Sequence, residues 1–224
     1  MSEILWYTAL VLTILIICIK LLFSHRLFQD FQRDRQNFLV WGASILFFFL
    51  AVSRVLMLYF DFFLTEFNPE KYQDYILYWK LANLFTWIGY LALIMIMEKS
   101  IFKGKTHHLI SIIYIIFIII SLAIPDFTTA QNIAAIPTAA GIVLIPFSYL
   151  YLARHEHIRK QALMIFLGYI VFSIGYLLLA EFIMEGLISI TNMESIQMRY
   201  IIHIGSIGLR LAGVLLLSYG YLYF

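Results

Sequence analysis

The sequence predicts an all-α integral membrane protein, a bundle of seven transmembrane helices with its N-terminus outside and its C-terminus inside. Three observations carry that prediction. The 224 residues are 63% hydrophobic and only 12% charged, with a mean hydropathy of +0.91, whereas a water-soluble domain has about 25% charged residues. Seven apolar stretches approach or exceed the ~20 residues that cross a hydrocarbon core. Lys and Arg are also divided very unevenly between alternate connections. A soluble enzyme, a disordered tail and a nucleic-acid binder are excluded by this composition, and a net charge of +2 is too small to call for a polyanionic partner.

The stretches run over residues 4–23, 38–63, 75–97, 109–124, 133–152, 162–185 and 200–223, all within one domain. None shows the period-two alternation of a membrane strand, and charges or turn residues such as Asn68-Pro69 and Pro125-Asp126 bound them. The first follows an acidic leader, Met1-Ser2-Glu3, and no small-x-small cleavage site follows it, so it reads as a retained span. Lys20, near its end, is expected to snorkel to the interface. The fourth is the shortest, with His107-His108 extending it. In the fifth, Pro137 and Pro146 with Ala134, Ala135, Ala139, Ala140 and Gly141 point to a closely packed, bent helix. The seventh has Gly205, Gly208, Ala212 and Gly213, again a packing signal.

Orientation follows from the basic residues. The ends after spans one, three and five hold Lys20, Arg26, Arg33, Arg35, Lys99, Lys103, Lys105, Arg154, Arg159 and Lys160, ten in all, against Lys71, Lys80 and Arg199 on the other side. The side richer in Lys and Arg is expected to face the cytoplasm, in a cell membrane with the N-terminus outside. A single cysteine, Cys18, allows no intramolecular disulfide.

Charged residues inside a span are costly, ~2.5–3.5 kcal/mol at the centre on insertion scales, and mark candidate sites. Arg54, Glu181, His203 and Arg210 fit that description, with Asp61, Lys80 and Asn83 shallower. At 1.5 Å per residue, Glu181 and His203 lie ~5–7 Å below the outer ends of their spans, Arg54 ~10–13 Å and Arg210 ~15 Å. Spacing places Arg54 and Asp61 on one face, Lys80, Asn83 and Trp87 on another, His203, Ser206 and Arg210 on a third, and Glu181 with Glu185 on a fourth. Lipid penalises an outward polar stripe, so the four are expected to face one another in the outer half of spans two, three, six and seven. Trp79 and Trp87 would wall the resulting cavity. The competing reading is a buried pair, Arg54 or Arg210 with Glu181, that only sets helix order. His25, His107, His108, His155 and His157 lie on the inner side, but i, i+2 spacing does not place two ligands on one helical face, so no metal site is expected. Ile88-Gly89-Tyr90-Leu91 recurs as Ile174-Gly175-Tyr176-Leu177, a weak sign of inverted repeats.

Seven spans with an outer N-terminus is also the plan of microbial rhodopsins and of G-protein-coupled receptors, and the similarity stops at topology. Residues 200–224 contain no lysine to attach retinal, so no cofactor is expected. Span three ends in Met97-Glu98-Lys99, not an acid-arginine-tyrosine triplet. The expectation is a receptor-like or sensory protein binding a small anionic or amphipathic ligand through Arg54, Asp61, Lys80, Asn83, Trp87, Glu181, His203 and Arg210. Its output would pass to a protein partner at the basic inner loops. A proton- or ion-coupled transporter and an accessory subunit of a membrane complex are the alternatives. An enzyme is least supported, since no nucleophile–base pair or multi-ligand cluster is visible.

Overall fold

The computed structural model describes residues 2–191 and 194–222, with the side chains of Ser2, Glu181 and Phe182 outside the described residues. It is an all-helical membrane bundle. Among the described residues eight α-helices follow in order: α1 (Ser2–Arg33), α2 (Phe38–Tyr59), α3 (Ile76–Ser100), α4 (Leu109–Ala123), α5 (Phe127–Leu152), α6 (Arg159–Leu177), α7 (Glu181–Thr191) and α8 (Ser195–Leu222). Six of them are long and apolar enough to cross a bilayer; α4 is apolar but shorter. At 15 residues, α4 spans only ~22 Å, so the count of long spans is six plus one short helix.

Those six close a ring: α2 packs between α1 and α3, α3 against α5, α5 against α6, α6 against α8, and α8 back against α1. Helix α4 lies outside the ring on α3 and α5 and turns Ile112, Ile116 and Ile119 outward. The α2–α3, α4–α5 and α6–α8 connections form one end of the bundle, the upper end below; the α1–α2, α3–α4 and α5–α6 connections form the lower end.

Charged side chains of α3 hold α4 at both ends. The Glu98 carboxylate accepts from the Ile110 and Ser111 amides at 3.2 and 3.1 Å and from the Ser111 hydroxyl. The Lys80 ammonium donates to the carbonyls of Leu122, at 2.9 Å, and of Ile124. A carboxylate at the N-terminus and a cation at the C-terminus satisfy backbone groups that the helix cannot pair itself and complement its dipole. Helix α4 therefore runs antiparallel to α3 along most of its length.

The α6–α8 contact is closer than any side chain permits. A Cβ on Gly213 would stand 2.7 Å from the Phe172 amide nitrogen, one on Gly168 2.8 Å from the Leu217 nitrogen, and one on Gly175 2.8 Å from the Ser206 carbonyl oxygen. Gly220 meets Ile165 in the same way. Glycines seven apart on each helix thus keep one antiparallel register. The small residues of span seven do signal close packing, but through Gly213 and Gly220; Gly205 and Gly208 have open space beside them. In α5, Gly141 lies under the ring of Tyr90, and both prolines sit inside a continuous helix.

Two expectations are corrected. The stretch 162–185 is not one helix: α6 ends at Leu177, hydrogen-bonded turns occupy 178–180, and α7 starts at Glu181. An acidic residue at a helix N-terminus is favourable, whereas the same residue within a spanning helix is costly. Lys20 does not snorkel. It is fully buried, and its ammonium lies 3.4 Å from the Leu50 carbonyl and 5.5 Å and 5.8 Å from the ring centres of Phe172 and Tyr176.

Candidate functional site

Helix α2 ends in a wide π-helical turn, Phe60–Leu64, followed by Glu66 and Phe67 in left-handed conformation (φ 52° and 59°). The turn carries Asp61 inward, and the reversal folds the Phe67 ring back over the Tyr200 and His203 rings, 5.0 and 5.3 Å away. Seven residues before Asp61, Arg54 reaches up the same face, and Nη1 meets the carboxylate at 3.4 Å. Its Nη2 lies 2.5 Å from His203 Nε2; a guanidinium only donates, so Nε2 accepts. Thr13 of α1 also touches that nitrogen, at 3.1 Å. One turn above His203 on α8, Arg199 points Nη1 toward the Tyr72 hydroxyl at 3.5 Å and the Met184 sulfur at 3.8 Å. Arg54, Asp61, Arg199 and His203 are all buried.

These groups face a cavity of about 100 Å³ at the upper end. Arg54, Asp61, Arg199 and His203 form its polar side, with Gln131 of α5; rings of Phe60, Phe67, Tyr72, Trp79 and Phe127 form most of the remainder. One water needs ~10–15 Å³ of such space, so the cavity has room for several waters or for a small ligand. In the α2–α3 connection Lys71 pairs with Glu66 at 2.8 Å, a hydrogen bond that raises the ammonium pKa above its ordinary value.

Of the residues the sequence singles out, Arg54, Asp61 and His203 are brought together here, and Trp79 is a wall as expected. Four others are elsewhere. Lys80 is engaged on the carbonyls that end α4. Asn83 donates to the Trp79 carbonyl of its own helix at 2.9 Å. Trp87 is fully buried and donates to Thr138 of α5 at 3.1 Å. Arg210 lies seven residues, ~10 Å, below His203, where Nε donates to the Ser206 carbonyl at 3.2 Å and the guanidinium stands 5.0 Å from the Tyr176 ring centre. The Glu181 side chain lies outside the described residues. Sequence reasoning missed Arg199 and Lys20. Arg199 extends the His203–Ser206–Arg210 stripe by one turn, a spacing that was available to find it; nothing local distinguishes a buried Lys20 from a snorkelling one.

Below the cavity the bundle changes character in layers. Lys20, the Leu50 carbonyl, Tyr176 and Arg210 lie at mid-depth. Beneath them Phe47 packs against Phe23 at 4.8 Å and Phe172 at 6.2 Å. Lower still, Tyr221 bonds Tyr149 at 2.7 Å and Tyr169 at 3.0 Å, all three buried. Among the described residues no group of three or more His, Cys, Asp or Glu side chains is placed to hold a metal, and the rings of His155 and His157 are exposed and 6.3 Å apart.

No protein-family model matches the chain, and neither a curated protein nor a solved structure is detectably similar to it.

Proposed function

We propose that this chain is a seven-helix, receptor-like protein of the cell membrane that binds a small anionic or amphipathic ligand from the outside in the upper cavity. The observation that carries the reading is that cavity itself, where Arg54, Asp61, Arg199 and His203 share a pocket lined in large part by rings. The Arg54 guanidinium in the wall favours a carboxylate or comparable anion, and the rings accept its apolar part. The volume favours a ligand of a few heavy atoms over the ~300–1,000 Å³ of a drug-sized site.

Two features support the seventh crossing and the orientation. Helix α4 is held alongside α3 between Lys80 and Glu98, 18 residues or ~27 Å of α3 apart. With Lys20 removed from the ten basic residues of the lower end, the remaining nine are all exposed, while Lys80 and Arg199 at the upper end are engaged inside the bundle. The charge asymmetry presented to the two water phases is thus sharper than the raw count, which supports a cytoplasmic lower end. That basic face is where an inner protein partner would dock, and the reading requires no cofactor.

The packed rings of Phe23, Phe47 and Phe172 between the cavity and the lower end favour reception over transport. Transport of the same anion is the second reading, favoured by the buried cations Lys20 and Arg210 under the cavity. Thermal unfolding in lipid nanodiscs against a panel of small carboxylates and inorganic anions tests binding. A ligand at a hundred times its Kd adds ~2.7 kcal/mol, and that gain should vanish in the double variant Arg54→Gln/Asp61→Asn. Absence of any stabilising anion overturns the reading; flux of the binding anion into proteoliposomes would replace reception with transport.

A further inference from the structure

Beneath the cavity, the described residues bury more cation than they balance. Asp61 is bonded to Arg54, and no carboxylate among the described residues contacts Lys20 or Arg210. Both are fully buried. Arg210 uses Nε on the Ser206 carbonyl, but its terminal nitrogens Nη1 and Nη2 have no acceptor within bonding distance. Lys20 has three donors and one long contact, 3.4 Å, to the Leu50 carbonyl. The two charges flank the same ring: the Lys20 ammonium is 5.8 Å and the Arg210 guanidinium carbon 5.0 Å from the centre of Tyr176, so they are no more than about 11 Å apart. Arg54 repels both, and Asp61, already bonded to Arg54, attracts Arg210 only from a distance.

Such an arrangement is unfavourable as it stands. Like charges repel strongly where water is excluded, and a buried charge without a counter-charge is among the costliest features a fold can retain. Tyr176 offsets part of the cost, through its ring face for Lys20 and Arg210 and through its hydroxyl for Arg210, but no well-formed hydrogen bond reaches the Arg210 terminal nitrogens. A compact anion does. It accepts from several N–H groups at once, from different directions, and cancels one charge. The Phe23, Phe47 and Phe172 rings pack together below and the polar cavity lies above, so the cavity side is the favourable approach for an anion.

We infer that Lys20 and Arg210 hold a small inorganic anion of the halide class beneath the ligand cavity, as a site separate from the cavity. This goes beyond the reading of the upper cavity and does not require it: the anion completes the core, whereas the ligand above is reversible cargo or signal.

The test uses the full chain in nanodiscs of zwitterionic lipid at constant ionic strength, with gluconate exchanged stepwise for chloride or bromide. Wild type should show a rise in Tm that saturates, and equilibrium dialysis with radioactive chloride should give one saturable site per chain. Lys20→Met keeps the length of the side chain and removes the charge. It should be at least as stable as wild type in gluconate and bind chloride roughly tenfold or more weakly, the worth of one charge-assisted hydrogen bond. Arg210→Gln, measured by dialysis, provides the same comparison should Lys20→Met not fold. A wild type indifferent to chloride overturns the inference. Chloride binding unchanged in both variants overturns it equally, by placing the ion elsewhere. The panel of cavity ligands is run on the same preparation, so a ligand response without a chloride response refutes this site alone, and the reverse refutes the cavity reading alone.

Discussion

A lysine within a membrane helix has two ways to avoid hydrocarbon: extending to the interface, or turning inward to a partner. Lys20 takes the second, and only the approach of α2, α6 and α8 reveals it. Arg54 and Asp61 were legible because residues seven apart share a helical face; that the pair is a 3.4 Å bridge needed the π-helical turn. Breaking it one side at a time leaves a buried charge, so Arg54→Gln should lower stability in nanodiscs by about 3–5 kcal/mol, with Arg54→Gln/Asp61→Asn recovering a large share. A double-mutant cycle of chemical or thermal unfolding measures this; additive losses would show that the two side chains do not interact. At the start of α5, the Asp126 carboxylate caps the helix through the Thr129 amide at 2.7 Å, and its hydrogen bonds to Thr129 hold it below the ordinary carboxylate range. With the folded value depressed, the stabilisation is complete above the unfolded pKa, ~3.9, and is lost as pH falls through the folded one. Asp126→Asn keeps an N-cap that does not titrate. Its Tm should therefore decline less than that of wild type between pH 5 and pH 3.

Helix lengths and positions were mostly readable from hydropathy, because burial in lipid demands a long apolar run whatever the neighbours do. What individual helices do to each other was not. The Lys80 and Glu98 contacts to α4 join residues 42 or 44 and 12 or 13 positions apart, and no local pattern announces them. Lys80→Met and Glu98→Ala should each cost roughly 1–3 kcal/mol, the penalty for stranding buried backbone groups. Acting at opposite ends of α4, the two losses should add to within ~0.5 kcal/mol; a shortfall in unfolding measurements would mean that one end already frees the helix. The glycines of the α6–α8 contact make a sharper contrast. Gly213→Ala forces a Cβ onto the Phe172 backbone and should cost about 1–3 kcal/mol. Gly208→Ala, one and a half turns away with open space beside it, should be neutral or gain up to ~1 kcal/mol of helix propensity. Sequence alone weighs those two glycines equally.

At the scale of the whole molecule, a ring of six long helices with α4 on its outer face separates an upper end with an aromatic, cationic cavity from a lower end with an exposed basic fringe. Single-cysteine labelling in a Cys18→Ala background checks the proposed orientation. In intact cells, an impermeant maleimide should modify cysteines placed at Glu70 and Asp126 and spare those at Arg33, Lys103 and His157 until the membrane is opened. Labelling of His107 and Asp126 from the same side would remove α4 from the count of spans. By itself the sequence determined that this is a helical membrane protein, where its apolar runs lie, and that Arg54, Asp61 and His203 belong inside, because hydrocarbon imposes length and hydropathy on each segment separately. Only the tertiary structure decided that Lys80 ends α4, that Arg199 joins the cavity, that residues 178–180 interrupt the sixth stretch, and that Lys20 and Arg210 both stand by the Tyr176 ring at mid-depth. The partner of a buried charge is chosen by which helices pack together, and that choice is distributed over glycines, rings and turns far apart in the chain.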